Sequence, residues 1–176
     1  MYYIYNNLKE VTVEDLLKNI SQYQLFNFLL TGTFLALAIS STTSIDLLSD
    51  NLLFSLVGYY FLGLVVSRFG SLIIGNIYKK LKIVKYRTYD RYLAAAMHDP
   101  KIEILVQDSN LYRTFIAASF LYLIVLIVDK FYIQYIRIYT FETYAIFALI
   151  GILIFSFAYR RQVSFITKRI DKHGKN

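Results

Sequence analysis

The chain has 176 residues, enough for one domain, and 57% of them are hydrophobic, with a mean hydropathy of +0.46; soluble domains hold about 45–50% apolar residues, so a membrane protein is the first class to test. A net charge of +7 suits nucleic acid, anionic lipid or membrane topology, and only its placement along the chain can decide between them. The absence of cysteine excludes a disulfide framework, thiolate metal sites and cysteine nucleophiles, and with only His98 and His173 as histidines, no metal and no cofactor is expected.

Residues 1 to 10, MYYIYNNLKE, have no basic n-region, and no short apolar stretch with a small-residue cleavage site follows, so no cleaved signal peptide is expected. Val11, Thr12 and Asp15 then read as a helix start, with Thr12 as N-cap and Val11 stapling to Leu16. Leu16, Leu17 and Ile20 fall opposite Glu14, Lys18 and Asn19, which predicts a short amphipathic helix, lying on the membrane surface or binding a partner. The first span is expected at about 23–41. Asn27, Thr31 and Thr33 sit inside it, and polar residues in a span face protein or water rather than lipid. Asn27 and Thr31, at i and i+4 on one helix face, are therefore the candidate pore-lining residues. Gly32, Ala36 and Ser40 repeat at intervals of four, the pattern by which helices approach closely in lipid. A short acidic loop, 41–50, follows without Lys or Arg.

The second span, 52–75, is a run that is almost wholly apolar, and a helix of ~20 residues crosses a hydrocarbon core of roughly 30 Å. Gly63, Ser67, Ser71 and Gly75 form a second small-residue ridge, a counterpart to the first, and Arg68 stands beside it. If the span begins at Leu52, Arg68 lies only ~5 Å inside the inner edge. Two readings stay open for it: snorkelling to the headgroups, or a part in ion passage, gating or contact with an anionic ligand. Glu103 and Asp108 could partner it from the same side of the membrane, whereas Asp129 and Glu142 fall on the other.

Six basic residues follow within 13 positions: Lys79, Lys80, Lys82, Lys85, Arg87 and Arg91. The connection 76–110 is expected to be helical and cytoplasmic, with one helix ending near His98 and another starting at Asp99 and Pro100. Lys82, Lys85, Arg87 and Arg91 interleave with Tyr86, Tyr89 and Tyr92. Cations neutralise phosphates and aromatic rings stack on bases, which suits a nucleotide or single-stranded nucleic acid. The same composition suits a juxtamembrane segment touching anionic lipid. His98 beside Asp99 could be a proton-transfer pair or simply a helix end; no second carboxylate cluster accompanies it. The third span is expected at 112–130, with Arg113 at its start and the interfacial rings Tyr132, Tyr135 and Tyr139 beyond it. The fourth is expected at 142–159, followed by a basic tail, 160–176. The 76–110 connection holds 7 Lys and Arg and the tail 6, against none in 41–50 and two in 129–142. The positive-inside rule then puts both termini in the cytoplasm.

The fold expected is all-α: an integral membrane four-helix bundle with a short helical cytoplasmic loop between spans two and three. No P-loop, HExxH, GxSxG or EF-hand pattern occurs, and the chain is not expected to be an enzyme. The run SRFGSLIIGNIYKKLKIVKY, continuing to RYLAAAMHDPKIEILVQDSNLYR, resembles the central part of small bacterial four-span effector proteins of anti-phage defence, over about residues 65–115. The resemblance implies a compact inner-membrane effector that oligomerises and permeabilises or depolarises the membrane under control of a nucleotide-type signal. The leading expectation is thus a homo-oligomeric channel or pore gated through its basic loop by an anionic ligand. The alternative is a membrane scaffold that recruits a soluble partner protein through the loop and the tail.

Overall fold

The computed structural model describes residues 13–47, 50–133 and 138–173; the side chains of 13–21, 132–139 and 173 lie outside the description. The capping contacts expected of Val11, Thr12 and Asp15 and the interfacial rings of Tyr132, Tyr135 and Tyr139 therefore fall outside the described residues. Every described element is a helix. Helix α1 is Val13–Thr42, α2 is Leu52–Lys80, α3 is Tyr89–His98, α4 is Lys101–Val128 and α5 is Ile138–His173. Four stretches are long and apolar enough to cross a membrane: Gln22–Thr42, Leu52–Lys80, Lys101–Phe131 and Thr140–Lys172. The protein is a multi-pass membrane protein built on a helical bundle.

Two boundaries differ from the expected ones. The short amphipathic helix is not separate: the backbone continues from Val13 into the first span, since neither Gly nor Pro interrupts residues 13–31. The tail continues the fourth span as helix to His173. The helix that starts at Lys101 runs directly into the third span, as its sequence allows. The break between α3 and α4 lies at Asp99 and Pro100. Asp99 has an extended backbone there, and its Oδ1 accepts the Lys101 N–H at 3.1 Å.

The spans form two hairpins, α1 with α2 and α4 with α5, and α4 joins them by touching α1, α2 and α5. Its sequence explains this position. Ile116, Ala117, Ala118 and Ser119 are all buried, and four successive residues at about 100° each look out over most of the helix circumference. Ala and Ser at three of these positions let neighbours approach from several sides. Helix α5 behaves oppositely: Phe147 is 65% and Phe157 70% exposed, with Ile150, Leu153 and Ile154 also outward, a surface suited to lipid.

The α1–α2 seam is set by glycine. A Cβ on Gly32 would overlap the Tyr59 carbonyl oxygen, and one on Gly63 would overlap the carbonyl oxygen of Phe28. The ridge on α2 does not continue as one face, because a π turn at Gly70–Ile74 interrupts it, with the Gly75 N–H bonded to the Gly70 carbonyl five residues back. The extra residue in the turn rotates the remainder of the helix about its axis. Gly70 and Gly75 accordingly face Arg113 and Ala117 of α4, and Ser71 is exposed. Helix α2 ends in a Schellman arrangement, with Lys82 N–H to Lys79 O at 3.1 Å and Ile83 N–H to Tyr78 O at 3.0 Å. Lys82 holds the left-handed position, φ 56°, where glycine is usual.

Candidate functional site

The basic end of the bundle carries the candidate site, and the segment after α2 builds it. Val84 is buried, and Thr167 of α5 donates to the Lys85 carbonyl at 3.1 Å, so residues 81–88 lie back across α5. The Tyr86 hydroxyl meets that of Tyr159, and the Tyr78 hydroxyl meets Ser156 Oγ, with the Tyr78 and Tyr159 rings edge-on at 5.8 Å. These contacts leave a cleft of about 340 Å³ between the segment, α4 and α5, walled by Tyr86, Tyr89, Tyr92, Asn110, Arg113 and Tyr159. The Tyr89 and Tyr92 rings lie 6.2 Å apart, tilted by 31°. Burial, and then the Tyr159 hydroxyl, push ionisation of Tyr86 upward, with Arg113 opposing. Burial does the same at Tyr92, helped by Glu103. Both phenols therefore remain neutral donors near neutral pH.

A second concavity of about 320 Å³ lies alongside, lined by Lys82, Lys85, Arg87, Arg160 and Lys168, with Asp171 the acid among them. Arg87 is engaged by that acid through two bonds, Nε to Oδ1 at 2.7 Å and Nη2 to Oδ2 at 2.5 Å, which raises its pKa. It is thus shared between both concavities but already paired, in an exposed bridge that solvent screens. Arg91 is exposed on α3. Asp99, considered above with His98 as a proton pair, instead binds Arg169 Nη1 at 2.5 Å.

The third cavity, about 150 Å³, lies where α1, α2 and α4 meet and opens to the surface at the exposed Gln24, Arg68 and Ser71. Asn27, Ser67, Arg68, Gln107, Asn110 and Arg113 line it. Asn27 is 4% exposed, and Thr31 is fully buried one turn on, its hydroxyl donating to the Asn27 carbonyl at 2.8 Å. Thr31 thus satisfies itself on its own helix, and Asn27 is the member of the pair that faces the cavity. Arg68 is exposed, at the rim, and makes no ion pair among the described residues. Of the carboxylates named for it, Asp108 accepts from Gln162 at 3.1 Å, and Glu103 neighbours Tyr92.

Arg113 and Asn110 were not among the sequence candidates, and they line both the aromatic cleft and the inner cavity. A signal did exist: Gln107, Asn110 and Arg113 recur every three residues, a polar stripe on one face leading into an apolar span. Reading Arg113 as a flanking charge hid it. Gly75 borders it, with room for an added Cβ in ordinary contact, 3.6 Å from Arg113 Cδ.

No family model, curated protein or solved structure matches the chain.

Proposed function

We propose that the protein is a homo-oligomeric membrane effector in which an anionic ligand, taken up at the basic end, controls ion passage through the membrane. The observation that carries this reading is the wall shared by two cavities. A ligand in the aromatic cleft would touch Arg113 and Asn110, which also line the polar cavity within the spans. Binding at one would then bias the other through the same side chains, which is the physical content of coupling between two sites. The cleft falls in the roughly 300–1,000 Å³ range of small-molecule sites. Tyr86, Tyr89 and Tyr92 offer faces and hydroxyls to a base, and Lys82 and Lys85 beside them offer charge to phosphates. Lys82 tolerates a backbone conformation that glycine would adopt freely, as expected if its ammonium is needed there.

The excess of Lys and Arg at this end supports a reading in which it faces the cytoplasm, by the positive-inside rule, with the bacterial inner membrane as the proposed location. The setting implied by the resemblance over residues 65–115 is anti-phage defence. Reconstitution in liposomes tests the proposal: ion flux should depend on an added nucleotide or oligonucleotide, and Arg113→Gln should uncouple flux from ligand. A monomer without flux under any condition would refute it. Recovery of a stoichiometric soluble partner, with no flux, would favour the scaffold.

A further inference from the structure

We infer that the inner cavity is a binding site for a small inorganic anion of the halide class. Three side chains with buried, unpartnered polar atoms line it: Arg113 Nε, Asn27 Oδ1 and the Tyr23 hydroxyl have no hydrogen-bond partner among the described residues. The guanidinium cannot give up its proton, so a buried N–H without an acceptor is a standing demand for one. Asn27 is 4% exposed, and a half-turn of its amide presents NH₂ in place of oxygen at the same point. Around them stand Arg68, Gln107 and Asn110, all able to donate, and among the described residues no Asp or Glu lines the cavity. Asp108 lies near Tyr23, outside the lining, and accepts from Gln162.

Two guanidinium groups, with no lining carboxylate among the described residues, disfavour a cation and favour an anion. Size narrows the class. About 150 Å³ is several times the ~10–15 Å³ that one water requires, so a halide fits with part of its water shell. A nucleotide belongs in the larger cleft outside. Arg113, lining both, is where occupancy of the two would be felt. As a statement about which ions pass, the inference rests on the channel reading above; as a binding site it stands on the cavity alone.

The test uses the full chain in nanodiscs, with thermal unfolding followed at constant ionic strength in chloride, bromide and gluconate. The midpoint should rise saturably with either halide and not with gluconate. Arg113→Gln should weaken the apparent halide affinity by about tenfold or more, and Arg68→Gln, at the exposed rim, carries the same test if Arg113→Gln does not fold. Lys101→Gln, at the exposed start of α4, should leave it unchanged. Equal midpoints in chloride and gluconate, or halide dependence that survives both arginine substitutions, would overturn the site. Halide binding without halide flux in liposomes would keep the site and refute the channel.

Discussion

Gly32→Ala should separate α1 from α2, and the structure sets the size of the effect. The added Cβ would stand 2.7 Å from the Tyr59 carbonyl carbon and 2.8 Å from the Gly63 nitrogen. Both are backbone atoms, so no side-chain rotation can make room. The Tyr59 carbonyl oxygen, which the Cβ would overlap, is closer still, so the helices must part by more than the about 0.7 Å that brings the carbonyl carbon out to 3.4 Å, and a gap of roughly 0.5–1 Å already forfeits a quarter to a half of each contact's dispersion energy. Spread along a seam that includes Phe28, Leu35, Ala36, Tyr59 and Val66, this amounts to a loss of about 3 kcal/mol, the upper end of ordinary overpacking. In lipid no hydrophobic drive compensates for it. The assay is equilibrium unfolding of the purified protein in mild detergent titrated with a denaturing one. Gly58→Ala is the internal control: nothing lies within 4 Å of its Cβ position, so it should be neutral or stabilise by up to ~1 kcal/mol through helix propensity. Equal effects of the two substitutions would refute the claim that the seam is glycine-limited.

Three further outcomes rest on local geometry. Lys82→Gly should raise stability by up to ~1 kcal/mol by relaxing the left-handed cap while weakening binding of polyphosphate at the basic concavity, as read by calorimetry; a loss of stability would contradict the strain argument. The ionisation of Tyr86 is raised above its ordinary 10.0, so the folded chain holds that proton longer than the unfolded one. Its contribution is whole below pH 10 and is lost as the pH rises past 10 toward the raised value, and Tyr86→Phe should flatten this alkaline decline and cost about 1 kcal/mol below it; an unchanged alkaline slope would argue against it. Asp129 is fully buried, and its Oδ1 accepts the Ser44 N–H at 3.0 Å and the Ser44 hydroxyl at 2.8 Å. Asp129→Ala should cost about 1–3 kcal/mol and raise hydrogen exchange across residues 43–47, and unaltered protection there would show that the carboxylate does not hold the loop.

The sequence alone determined that the chain crosses a membrane four times, because length and hydropathy of single segments suffice for that and no partner has to be known. It also located the basic, tyrosine-rich segment, a local property of residues 79–92. The order in which helices touch was out of reach. The four-residue repeat of Gly63, Ser67, Ser71 and Gly75 implied one straight face, and only the π turn at Gly70–Ile74 divides it, turning Gly63 toward α1 and Gly75 toward Arg113. Nor does composition say that Arg87 is taken by Asp171, 84 residues away, or that Asp129 is spent on Ser44. The inner cavity is the clearest case. Asn27, Arg68 and Arg113 come from three helices: Asn27 reads as pore-lining, Arg68 as either a snorkelling charge or a functional one, and Arg113 only as a charge at the start of a span. Their meeting depends on close packing of α1, α2 and α4, a property of pairs of surfaces that no single helix encodes. Length and hydropathy fix the spans one at a time, whereas a cavity is what remains after all of them have packed.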